Sequence, residues 1–157
     1  MGESTSGPYE LPDLDYAYLA DYAKVHPDGL LTAVGASYTL VMTSQLPIAH
    51  RVFVAGRVRM EAAAERRVSM SVQVAGPEEN SPEIRVDFDV NGAHAKPYDD
   101  RVGAMFVVET LYPIVSPGLH TVTVCIEEQC VRTLAFTVEL VEEEEADTGG
   151  VDDASDT

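Results

Sequence analysis

The chain has 157 residues, 45% of them hydrophobic, and a formal net charge of -17. A chain of this size buries enough surface to fold as one domain without disulfides or metals. Its acidity excludes sequence-independent nucleic-acid binding, which relies on Lys and Arg to neutralise phosphates, and no run reaches the roughly 18 apolar residues of a membrane-spanning helix.

The charge is unevenly spread. Eight acids lie from Glu142 onward with no Lys or Arg among them, which leaves -9 for residues 1–141. Residues 1–12 are rich in Ser, Gly, Pro and Glu, and residues 141–157 form a low-complexity acidic tail. Both compositions predict disorder, flanking a single domain over residues 13–140. The polar start, Met1 to Pro8, lacks the basic-then-apolar pattern of a secretory signal. The expected setting is therefore the cytoplasm.

The first element is a hairpin from Leu14 to Val41, turning at His26-Pro27-Asp28-Gly29. Pro presets the φ of a type I turn, Asp bonds its own backbone, and Gly takes the positive φ that closes a three-residue loop. Counting outward sets His26 against Leu30 and Tyr22 against Val34. Continued, it sets Ala20 against Ala36, Tyr18 against Tyr38 and Tyr16 against Leu40. One face would then carry Tyr16, Tyr18, Tyr22 and Tyr38, serving either as packing or as a binding platform with rigid apolar rings and polar tips.

Thr43 to Pro47 reads as a connection. From Ile48 to Met60 the residues alternate, with Val52, Val54, Gly56, Val58 and Met60 on one face and Arg51, Phe53, Ala55, Arg57 and Arg59 on the other. Period two predicts a half-buried strand. Glu61 to Arg67 is a connection too short for a stable helix. Val68 to Val74 and Ile84 to Asn91 alternate as strands around the turn cluster Gly76–Pro82. Gly92 to Arg101 is a loop, Val102 to Thr110 an apolar strand, and Leu111 to Gly118 a turn. His120 to Glu127 and Val131 to Leu140 close the domain as a hairpin. About eight strands with no long helix predict an antiparallel β-sandwich of Greek-key or jelly-roll type.

Leu19-Ala-Asp-Tyr-Ala23, Asp28-Gly-Leu-Leu-Thr-Ala-Val-Gly35 and the Pro117-Gly118 turn before a paired strand carry a family resemblance. The chain resembles an uncharacterised bacterial domain family that opens with an "LADYA" run, a "DGKL" type turn and a "GxG" close. The likeness spans roughly residues 14–140. Leu30 stands where a Lys is common, and Ala36 where a second Gly is common. The resemblance implies an all-β cytoplasmic domain of unknown function, and transfers no functional residue.

Cys125 and Cys130 are the only cysteines. Matching Val122, Val124 and Ile126 to Leu134, Phe136 and Val138 needs Val122 opposite Leu134 and a three-residue loop, Glu127 to Gln129. That register sends the two cysteines to opposite sides of the sheet, so both are expected free. No pair of ligands has zinc spacing, and His26, His50, His94 and His120 form no triad or ligand motif. Asp87 with Asp89, and Asp99 with Asp100, lack an EF-hand spacing. No metal, cofactor or catalytic residue is expected, and the chain reads as non-enzymatic.

Five of the ten basic residues, Arg51, Arg57, Arg59, Arg66 and Arg67, fall within residues 51–67, offset there by Glu61 and Glu65. This is either a solvated strand with Arg stems covering apolar surface or an anion-recognition strip that the acidic tail screens at high effective concentration. The leading expectation is an interaction protein that binds an unidentified protein partner through this strip, with a sheet edge available for homo-oligomers. The alternative is a small-ligand or carbohydrate-binding module using the tyrosine face.

Overall fold

The computed structural model describes residues 12–62, 67–92 and 95–143. They form ten strands: β1 (Asp13–Ala20), β2 (Tyr22–Val25), β3 (Leu31–Val34), β4 (Leu40–Thr43), β5 (Ile48–Glu61), β6 (Arg67–Ala75), β7 (Glu83–Asn91), β8 (Arg101–Ile114), β9 (Gly118–Ile126) and β10 (Gln129–Leu140). The fold is all-β, as the period-two alternation predicts. Ten strands replace the expected eight, because the first hairpin divides into four.

The strands make a three-stranded sheet, β1-β5-β8, a five-stranded sheet, β4-β10-β9-β6-β7, and the small pair β2-β3. The larger sheet is mixed, since β4 runs parallel to β10. Both larger sheets feed one core. Val54 and Val58 of β5 and Phe106 of β8 meet Val72 of β6, Val124 of β9 and Phe136 of β10. β8 runs through Pro113, which pairs with Ala49. Proline lacks an N–H, and an edge strand tolerates that loss.

The first hairpin holds as read near its turn. His26 N–H donates to the Leu30 carbonyl at 2.8 Å, Asp28 accepts from Leu30 N–H at 3.0 Å, and Gly29 has φ +85°. Tyr22 faces Val34 and Val25 faces Leu31, as counted. Beyond Tyr22 the regular ladder ends, and beyond Ser37, whose N–H still reaches the Leu19 carbonyl at 2.6 Å, the count fails. Asp21 N–H still reaches the Val34 carbonyl, but Gly35 (φ +61°) and Ser37 (φ +64°) turn the chain away. β1 then pairs with β5, with Tyr18 opposite Ala55, and β4 joins the other sheet.

The last hairpin corrects the cysteine expectation. Cys125 and Cys130 are opposite one another and disulfide-bonded. The loop has two residues, Glu127 and Glu128, both at positive φ. That is the backbone of a type I′ turn, whose usual residues are Asn and Gly. A bulge between Cys130 and Arg132 absorbs the extra residue, so Val122 still faces Leu134. The register is as counted from Arg132 outward and differs by one at the turn, where the cysteines lie.

Candidate functional site

β5 is the middle strand of the three-stranded sheet, and its inner and outer faces are those read from its alternation. Val52, Val54, Val58 and Met60 enter the main core. Phe53 and Ala55 enter a second cluster with Ala20 and Ala23, packed by Leu31 and Ala33. The β2-β3 pair therefore covers part of the sheet's outer face, and Tyr22 meets Phe53 edge-on with ring centroids 5.5 Å apart.

Arg57 and Arg59 occupy the outer face just past this cover. β1 bulges between Leu14 and Tyr16, which inserts Asp15 beside them. Arg57 donates from Nε and Nη2 to Asp15 Oδ2. Arg59 donates from Nη2 to Asp13 Oδ2 at 2.6 Å, and its Nη1 lies 3.6 Å from Asp15 Oδ1. The hydrogen bond from each guanidinium to its aspartate raises its pKa further. Gly56 makes room for the bulge: a Cβ there would lie 2.2 Å from the Tyr16 carbonyl oxygen and 2.8 Å from Phe106 Cζ.

Tyrosines bracket Arg57. Its guanidinium carbon lies 5.4 Å from the Tyr16 ring centroid and 5.7 Å from that of Tyr98, within cation–π range. Tyr16 stacks on Tyr18 at 6.0 Å and 9°, and its hydroxyl donates to Met105 Sδ. Burial, then the neighbouring Tyr16, raises the Tyr18 pKa. Tyr98 is held by a two-residue turn: it exchanges backbone hydrogen bonds with Arg101 across Asp99 and Asp100, both at positive φ.

A cleft of about 510 Å³ opens beside this cluster, between the hairpin turn at His26–Leu30 and Arg57, Lys96, Tyr98 and Met105. His26 Nε2 lies 2.6 Å from the Thr32 hydroxyl at the hairpin. The structure thus brings together parts of both expected sites, Arg57 and Arg59 with Tyr16 and Tyr18. Arg51 lies farther along β5, paired with Glu109 at 3.2 Å, and Arg67 pairs with Asp89 at 4.0 Å on the other sheet. Arg66, His94 and the tail from residue 144 lie outside the described residues. Tyr98 and Lys96 were missed because they sit in a loop without period. The Pro97 and Asp99-Asp100 flanking Tyr98 were the only local sign of a turn.

Tyr38 is separated from the other tyrosines. Its hydroxyl lies 3.0 Å from His50 Nε2, and its ring meets Phe136 at 6.0 Å. Phe136 also stacks on His120 at 5.2 Å and 13°. His120 is 1% exposed, and its Nδ1–H donates to the Gly118 carbonyl at 3.0 Å. Burial, with Asp21 adding to it, pushes the Tyr38 hydroxyl up to about 12. Burial lowers His50, against Asp21 and with His120. A raised Tyr pKa stabilises the fold below the ordinary value of 10.0, and that contribution is lost as pH rises toward about 12. Urea midpoints measured across that window should fall less steeply in Tyr38→Phe than in the parent. The lowered His50 acts in the opposite window: its contribution is full above 6.5 and lost as pH falls through the folded value.

No helix among the described residues is long and apolar enough to cross a membrane, and no group of three or more His, Cys, Asp or Glu among them converges as a metal site. Among solved structures, the chain is similar to Pseudomonas fluorescens alkylpurine DNA glycosylase AlkC bound to DNA containing an abasic site analog, at 10% identity and a TM-score of 0.42. The match covers 78% of this chain and 30% of that one, and a likeness this slight assigns nothing here. No curated protein matches. A family model described as a family of unknown function (DUF6941) matches residues 15–139, the span of every strand described above except the ends of β1 and β10. The chain belongs to that family, in agreement with the resemblance carried by its first hairpin.

Proposed function

We propose that this protein is a non-enzymatic interaction module of β-sandwich type. It would hold a partner protein at the outer face of the three-stranded sheet. The observation that carries the reading is Arg57, fixed by Asp15 and bracketed by Tyr16 and Tyr98 beside an open cleft. Arginine and tyrosine are enriched among residues that dominate binding energy, because each presents a large pre-organised surface with a polar tip. Asp15 neutralises part of the Arg57 charge, so the site selects by shape and stacking as well as by sign. The cytoplasmic setting belongs to the same proposal. Self-association through a free sheet edge is the form the partner takes if it is a second copy.

The test is capture from native lysate by full-length protein, Tyr98→Ala and Arg57→Gln. Tyr98 is an exposed loop residue, so its loss leaves the fold intact. One stoichiometric partner retained by the parent should be reduced at least about tenfold by Tyr98→Ala, the loss of about 1.4 kcal/mol. Equal retention by all three proteins would remove the site from consideration.

The cleft volume also favours a second reading, a small-ligand module, since about 300–1,000 Å³ is the range of such sites. A saturable thermal shift with one compound class, abolished by Tyr98→Ala, would select it.

A further inference from the structure

The turn that carries the disulfide sits in a register its residues do not favour. Cys125 faces Cys130 and Ile126 faces Gln129, which leaves Glu127 and Glu128 as the loop. Both glutamates have positive φ, 46° and 71°, where a Cβ crowds the following carbonyl oxygen. Away from the tip, the ladder that starts at Val124 and Arg132 is one residue out of step with this turn. The bulge between Cys130 and Arg132 takes up the difference.

A second register removes both features. If the ladder of Val124 and Arg132 runs straight to the tip, Val131 comes opposite Cys125, and Cys130 opposite Ile126. The loop is then Glu127–Gln129, and the bulge disappears. A three-residue loop needs one left-handed residue where the observed loop has two. Cys130 would share a face with Leu134, the face opposite that of Cys125. The ladder from Arg132 to Val138 is common to both registers, so only the tip has to change. The sulfur–sulfur bond is incompatible with the second register and excludes it.

The two cysteines differ in access. Cys125 is 6% exposed and lies opposite Ser71 of β6, whereas Cys130 is exposed at the tip. Gln129 and Val131, which change place between the registers, line a recess of about 80 Å³ with Pro12, just ahead of β1.

We propose that Cys125–Cys130 is an exchangeable disulfide, opened at Cys130 by a low-molecular-weight thiol, and that opening resets the hairpin to the three-residue loop. The incoming thiolate bonds to Cys130 Sγ and the disulfide breaks. Its electron pair leaves on Cys125 Sγ, which takes up a proton. A second thiolate attacks the incoming sulfur of the mixed disulfide and releases Cys130, which is protonated in turn. Two small thiols are thereby oxidised to one disulfide as the protein disulfide is reduced to two thiols. The reset carries Cys130 away from Cys125, so reclosure slows and the mixed disulfide accumulates. The inference goes beyond the interaction reading and does not depend on it.

The test uses full-length protein in buffers of reduced and oxidised glutathione, quenched with acid, alkylated and mapped by mass spectrometry. A glutathione adduct should accumulate on Cys130 and not on Cys125. In NMR spectra of protein reduced with dithiothreitol, the cross-strand contact of Ile126 should move from Gln129 to Cys130, while Val124 stays opposite Arg132. Glu127→Asn with Glu128→Gly supplies the residues a type I′ turn prefers, and should keep the two-residue loop even when reduced. It should shift the glutathione equilibrium toward the disulfide by at least about tenfold and abolish the adduct.

An adduct on Cys125, or a disulfide that glutathione opens only in denaturant, would overturn Cys130 as the point of entry. Reduced parent protein that keeps Ile126 opposite Gln129 would overturn the reset, as would a turn variant with the parental equilibrium.

Discussion

Phe136→Ala should cost about 3–5 kcal/mol of unfolding free energy, the range for removing a fully buried aromatic ring. Phe136 is 1% exposed and touches three other rings: Tyr38 of the β3–β4 crossing, His50 of β5 and His120 of β9. It therefore joins the crossing segment to both larger sheets. Truncation would leave a cavity lined by two imidazoles and a phenol, and it would expose His50 to water. The measurement is the urea midpoint of parent and variant at neutral pH. A loss below about 1 kcal/mol would mean that the ring cluster repacks and is not a junction.

Gly56→Ala should be the most damaging small substitution in the sheet. The added methyl would sit 2.2 Å from the Tyr16 carbonyl oxygen and 2.8 Å from Phe106 Cζ. The first obstacle is backbone, so no side-chain rotation relieves it. Overpacking of this kind costs about 1–3 kcal/mol or more. β1 would have to move off β5, taking Asp15 and Tyr16 away from Arg57. The expected result is thus a lowered midpoint with loss of partner capture in the protein that remains folded. Retained capture at a lowered midpoint would separate the bulge from the binding site.

The parts of this structure that were legible in the sequence are those where period two runs uninterrupted. β5, β6 and β7 match their alternation, and the two faces of β5 are those read from Val54 and Arg57. What was not legible lies where one residue breaks the count. Asp21 and Gly35 divide the first hairpin, so Tyr38 packs between His50 and Phe136 and the four-tyrosine face does not form. Glu127 and Glu128 take left-handed backbone that their side chains do not favour. The bulge after Cys130 then restores the register, so the disulfide was hidden from counting.

The candidate site was half legible for the same reason. Arg57 and Arg59 come from a regular strand and were named. Asp15, which fixes Arg57, owes its place to a bulge, and Tyr98 to a turn with two positive φ values. The pairing of a strip of arginines with aspartates of β1 cannot be read without knowing that β1 lies beside β5. The expected arginine strip and tyrosine face are, in part, one surface.

The measurement that tests the central claim most directly is site-specific photo-crosslinking in living cells. A photoreactive amino acid would replace Leu30, an exposed residue at the hairpin tip beside the cleft, and in a second protein Leu119, exposed on the five-stranded sheet. The account predicts one discrete adduct from position 30 that disappears when Tyr98→Ala is added, and none from position 119. An adduct from position 119 alone, or one from position 30 that is indifferent to Tyr98, would contradict it.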